Sequence, residues 1–203
     1  MQSFINQLPQ NQANFYKLIL VPHEDLNNRI IKIRKEFAEK FNVDKPLTAF
    51  PEILLASFKQ HNLAEARMIN RLRIIAMGTG ALKVEIKDFN SQPSHSVFLQ
   101  VTSKESVGGL VKKIREDAQH LMKLDNEHKP FFPFEFYFTV ATKLKPWQYE
   151  KAWLEYANKH FTGKFIAGRM LLLKRKEGEF KYKPIANFEF LNQPIEIKQG
   201  LLF

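Results

Sequence analysis

Residues 134–142, FEFYFTVAT, carry the densest polar chemistry of the chain. Strand alternation places Phe134, Phe136, Phe138 and Val140 on one face and Glu135, Tyr137, Thr139 and Ala141 on the other. The first is a core face. The second sets a carboxylate, a phenol and a hydroxyl side by side, which suits a cleft wall and suits a solvent-facing strand surface equally well. Phe50-Pro51-Glu52-Ile53-Leu54-Leu55 has the same character, with Glu52 on the face shared by Leu54 and Ala56. One His-x-Thr occurs, His160-Phe161-Thr162, at the predicted end of a helix just before Gly163. An imidazole there is favourable with the helix dipole, so it reads as structural. His95, which opens the strand SHSVFLQV, reads the same way.

Much other chemistry is excluded. Neither GxxxxGK[ST] nor GxGxxG occurs, and Gly108-Gly109 falls inside a helical pattern, so no phosphate loop is present. The chain lacks HExxH and GxSxG, and its 6 His are scattered. With 0 Cys, thiolate metal sites, thiol catalysis and disulfides are ruled out. The expectation is that no metal or cofactor is used.

The elements that must position these residues follow from periodicity. Phe15–Val21 reads as a strand ending at Pro22. Leu26, Ile30, Ile33, Phe37 and Phe41 recur at helical spacing, with Arg29, Lys32, Arg34 and Lys35 on the remaining surface. That basic face serves either solubility or the steering of an anion. A short strand within 50–58 and a helix over 63–77 follow, the helix stopped by Gly78 and Gly80. Segments 82–87 and 97–101 alternate as a hairpin around the polar turn 90–94. A third helix spans 104–124, a strand 131–142, and a fourth helix starts at Pro146 with Trp147, Leu154, Ala157 and Phe161 as its apolar stripe. Segments 165–174 and 180–190 read as two strands joined through Glu177-Gly178. Interspersed helices and hairpins imply α+β with antiparallel sheet rather than a doubly wound parallel fold.

At 203 residues the chain can bury roughly 70% of its unfolded surface, so its core needs no staple. Lys plus Arg is 31 against 21 Asp plus Glu, a formal charge of +10. That excess favours a polyanionic partner if it clusters, and is mere solvation if it is spread. No run approaches the ~18 apolar residues of a membrane span, and MQSFINQLPQNQANFY has neither the basic nor the apolar region of a secretory signal. A cytoplasmic protein with no membrane partner is the expectation.

FPEILLASF, PFFPFEFYFTVATKLKPWQYEKAWLEY and GKFIAGRMLLLKRKEGEFKYKPIANFEF, with the opening strand FYKLILVP, resemble the 2H phosphoesterase superfamily, the 2'-5' RNA ligase-like proteins. The likeness is in element order and flanking context and covers nearly the whole chain. It implies one domain over residues 1–203, made of two lobes whose antiparallel sheets form a central cleft. In that family each lobe offers a His-x-Thr/Ser strand. The two His serve as base and acid on a 2',3'-cyclic phosphate or 2'-5' linkage, the hydroxyls hold phosphate oxygens, and no metal is required.

Here the two catalytic positions carry Glu52 and Tyr137, and the hydroxyl positions carry Leu54 and Thr139. Where many members have an Arg after the second motif, this chain has Thr142 with Lys143 beside it. Histidine's ordinary pKa near 6.5 lets it take and give a proton around neutrality, whereas Glu near 4.3 is a weak base and Tyr near 10 a sluggish acid. The resemblance therefore points to a degenerate member that binds RNA or a nucleotide phosphate, with Thr139 and Lys143 on the phosphate. Its rivals are an active phosphodiesterase with a Glu52/Tyr137 pair and a non-catalytic protein-interaction module.

Overall fold

The computed structural model describes residues 13–93 and 95–193. The N-terminal stretch read for a signal, residues 1–12, and the tail from 194 lie outside them. In chain order the elements are β1 (Ala13–Leu20), α1 (Glu24–Lys40), β2 (Ile53–His61), α2 (Asn62–Met77), β3 (Leu82–Gln92), β4 (Ser96–Val101), α3 (Lys104–Met122), β5 (Tyr137–Ala141), α4 (Pro146–Tyr156), β6 (Thr162–Ala167), β7 (Arg169–Lys176) and β8 (Lys183–Glu189). They build two four-stranded antiparallel sheets, ordered β2-β1-β7-β8 and β5-β4-β3-β6. The fold is α+β, as the hairpin pattern requires. Both sheets and all four helices feed one apolar cluster, with Leu18, Ile30, Leu55, Leu72, Leu99, Ile114 and Phe138 fully enclosed.

Three stretches differ from their sequence-based expectation. Residues 165–174 are two strands, not one. The chain leaves β6, paired with β3 in the second sheet, and at Gly168 crosses to β7, paired with β1 in the first. The crossing is tied by the Phe190 amide donating to the Gly168 carbonyl at 2.8 Å. The hairpin is thus β7–β8 alone.

The strand expected over 131–142 forms only at Tyr137–Ala141. Pro130 and Pro133 carry no amide hydrogen and keep the preceding stretch out of a ladder. What remains is a single antiparallel bridge, Phe131 to Ser57, so residues 131–136 form a strap from β2 to the second sheet. Phe134 is accordingly 82% exposed rather than on the core face.

In α4 the buried residues are Gln148, Ala152 and Tyr156, while Trp147 and Leu154 face solvent. Gln148 goes inside because all its polar atoms find partners: Nε2 donates to Phe41 O at 3.2 Å and Asn42 O at 2.7 Å, and Oε1 accepts from the Lys145 amide at 2.9 Å. Tyr156 packs edge-on against Phe37 and Phe89, with centroids 5.0 and 4.8 Å apart.

Candidate functional site

β2 and β5 are both edge strands, and a cleft opens between them. Its volume is about 550 Å³, and its walls include Glu52, Leu54, Tyr137, Thr139, Lys17 and Phe98. Glu52, Leu54, Tyr137 and Thr139 therefore meet in one hollow. No histidine lines it among the described residues.

The two lobes reach the cleft by the same device. On β2, Ile19 of β1 pairs with Leu54 and Leu18 with Ala56, leaving Leu55 as an unpaired bulge. On β5, Phe98 of β4 pairs with Thr139 and Val97 with Ala141, leaving Val140 unpaired. Each bulge falls one residue after Leu54 or Thr139 and turns the strand inward there, so that Leu55-Ala56 and Val140-Ala141 are consecutive buried pairs. Glu52 and Leu54 therefore face the cleft, but Ala56, expected on their face, is buried.

Lys17, on β1 beside β2, closes the first wall. Its Nζ donates to Glu52 Oε1 at 2.7 Å and lies 4.9 Å from the centre of the Tyr182 ring. Sequence reasoning passed over this residue, though a lysine within the apolar run FYKLILV was the available signal. On the second wall the Tyr137 ring lies against Phe98, centroids 4.5 Å apart, and is 39% exposed. Neither the Tyr137 phenol nor the Thr139 hydroxyl has a hydrogen-bond partner among the described residues.

Arg34 holds the two walls from below. Although it was grouped with the solvated basic face of α1, it is only 7% exposed. It occupies the stripe of Leu26, Ile30 and Phe37, a spacing that fits it better than Ile33. Its Nε donates to the Thr139 carbonyl at 2.8 Å and its Nη1 to the Ala49 carbonyl at 2.7 Å, three residues before Glu52. Burial pulls the guanidinium down to about 10, opposed by the nearby Glu52 carboxylate, so it stays charged at neutral pH. Arg29 of the same helix is also engaged, donating to Thr162 O at 3.0 Å and lying over the Phe161 ring.

The remaining candidates lie elsewhere. Lys143, at φ 57°, is exposed and is not part of the cleft wall. His160 is 89% exposed, with Nδ1 3.2 Å from Asp88 Oδ1. Among the described residues no group of three or more His, Cys, Asp or Glu is placed to hold a metal, and no helix is long and apolar enough to cross a membrane.

Two antiparallel sheets whose edge strands face each other across a cleft, each presenting its residues just before a bulge, define a two-lobed α+β architecture. Solved structures share it. E. coli LigT complexed with 3'-AMP superposes with a TM-score of 0.60 at 13% identity, over 88% of this chain and 98% of that one. TT0787 of Thermus thermophilus gives 0.58 at 12% identity, over 89% and 100%. E. coli LigT complexed with NADP+ gives 0.58 at 14%, over 89% and 99%. Residues 22–179 match the 2'-5' RNA ligase superfamily, and the chain belongs to that family. No curated protein matches it.

Proposed function

We propose that this member of the 2'-5' RNA ligase superfamily binds RNA or a nucleotide phosphate in its cleft and has lost the family's proton-transfer pair. The observation that carries the reading is the set of side chains meeting there: Glu52 and Leu54 from one lobe, Tyr137 and Thr139 from the other. Cleaving a cyclic phosphate needs a base for the attacking hydroxyl and an acid for the leaving oxygen, each worth roughly 10²–10⁴ in rate. Imidazole does both near neutrality. Here Glu52 Oε1 already accepts from the Lys17 ammonium at 2.7 Å, so a substrate hydroxyl would share the carboxylate with that bridge.

Binding groups remain. The Thr139 hydroxyl donates to a phosphate oxygen, and Tyr137 backed by Phe98 presents a face on which a base stacks. One protein of the same fold, E. coli LigT, has been crystallised with 3'-AMP, ATP, NADP+ and phosphate, which is consistent with a cleft of nucleotide size.

Calorimetry with 3'-AMP at low salt tests the reading. Wild type binds. Tyr137→Ala weakens binding by roughly 5- to 150-fold, the range for one stacked base. Thr139→Val weakens it about fivefold, one neutral hydrogen bond. Lys143→Glu, outside the wall, leaves it within about twofold. Unchanged affinity in Tyr137→Ala, or no binding by wild type, overturns it.

A further inference from the structure

On the reading that the cleft takes a nucleotide, we propose that the cavity next to it is a second subsite, which takes the phosphates of a single RNA strand running on from that nucleotide. This cavity measures about 520 Å³ and lies between the C-terminal half of α3 and residues 129–134, which lead into the strap. Arg115, His120, Lys123 and Lys129 stand in its walls, with no Asp or Glu among the described residues. Arg115 and Lys129 form no ion pair among the described residues, and Lys123 donates only to the neutral Asn126 at 2.7 Å.

The cleft itself has the opposite balance. Among the described residues its one cation in the wall, Lys17, is bridged to Glu52, and Glu135 adds a second carboxylate. A phosphate seated in the cleft alone gains little Coulomb energy. The unpaired cations are next door, where an adjacent phosphate of the same strand would meet them.

The ridge between the two cavities suits a base. Phe131 and Phe134 line both, and they are 56% and 82% exposed. Exposed rings of this size are ordinarily mobile, but the backbone that carries them is fixed at both ends. Phe131 exchanges two backbone hydrogen bonds with Ser57, at 2.8 and 3.0 Å, and the Phe136 carbonyl accepts from the Val101 amide at 3.0 Å. Pro130 and Pro133 stiffen the stretch between. Two phenylalanines on a rigid ridge, with a hydroxyl-bearing cleft on one side and three cations on the other, match the alternation of bases and phosphates in a single strand. Counterion release adds roughly 0.7 to the salt slope per neutralised phosphate of a single strand.

The experiment is a length series: 3'-AMP and oligoadenylates of two to eight nucleotides, titrated at several salt concentrations against wild type, Phe134→Ala and the triple variant Arg115→Ala/Lys123→Ala/Lys129→Ala. All substituted side chains are exposed, and unchanged melting curves confirm folding. Affinity should rise at least tenfold from 3'-AMP to the tetramer. The triple variant should erase that gain and lower the salt slope by about 2, leaving 3'-AMP binding unchanged. Phe134→Ala should weaken the tetramer by roughly 5- to 150-fold.

A flat length series, or a gain that survives the triple variant, overturns the subsite while 3'-AMP binding keeps the cleft reading. Oligomer binding that needs the three cations, without any binding of 3'-AMP, keeps the subsite and retires the cleft reading. Polyglutamate competing as well as the octamer reassigns the cavity to an acidic protein partner and overturns the proposal.

Discussion

Arg34→Met removes the strut beneath the cleft, and the size of the effect can be worked from its contacts. Arg34 is 7% exposed, and its guanidinium donates to two carbonyls, Thr139 O at 2.8 Å and Ala49 O at 2.7 Å. Hydrogen bonds from a charged donor contribute about 1.5–3 kcal/mol each, and a buried carbonyl left unpaired costs about 1–3 kcal/mol. Those are two descriptions of one loss and are counted once. Against it, methionine relieves the burial of a charge, the effect that already pulls the group down to about 10, and it fills a similar length. The balance is a loss of about 2–4 kcal/mol. For a chain of this size each kcal/mol shifts Tm by about 2–4 °C, so Tm falls by about 5–15 °C. Urea denaturation and thermal melting both read it. We propose that the two lobes form one domain, so each curve should show a single transition. Arg34→Lys keeps the charge but cannot span both carbonyls, and should lose about half as much. A variant Arg34→Met within about 0.5 kcal/mol of wild type would refute the strut, because surface substitutions give that much.

Two further outcomes follow from the ion pairs and turns. A double-mutant cycle on Lys17→Met and Glu52→Gln should give a coupling of about 0.5–1 kcal/mol, since both side chains are partly open to water; a coupling of zero would mean the bridge is not held in solution. Asp125 accepts from the His128 and Glu127 amides and sits beside the His128 ring, and these bonds, the His128 amide first, hold its carboxyl below the usual carboxylate range. A depressed folded pKa means the contribution is present above the unfolded value of about 3.9 and lost as pH falls through the folded one. The amide resonances of Glu127 and His128 should therefore titrate with a midpoint below about 3.9; a midpoint at or above it refutes the cap.

The helices and hairpins were legible because their periods are strong: Val107, Leu110, Val111, Ile114 and Ala118 repeat along α3, and Val84 and Ile86 alternate along β3. The convergence of Glu52 and Tyr137 needed more than pattern. It depends on bulges at Leu55 and Val140, and a bulge in an apolar strand leaves no mark in alternation that a plain strand lacks. Gly168 hid a change of sheet, since apolar residues lie on both sides of it, Phe165–Ala167 and Met170–Leu173, and the glycine alone separates the two strands. Arg34 was misplaced and Gln148 passed over for a shared reason. Each is polar and buried because its partners are backbone carbonyls from distant loops, which local sequence does not reveal. Trp147 and Leu154 looked like a core stripe for the converse reason: nothing local distinguishes an apolar face that packs from one left bare.

The central claim is that the cleft binds without transferring protons, and turnover of 2',3'-cyclic nucleotides and 2'-5' dinucleotides by the purified full-length protein tests it most directly. No product above the no-protein control is expected at concentrations where 3'-AMP occupies the cleft. Hydrolysis that is abolished separately by Glu52→Gln and by Tyr137→Phe would contradict it, and would make those two side chains the base and acid of a working enzyme.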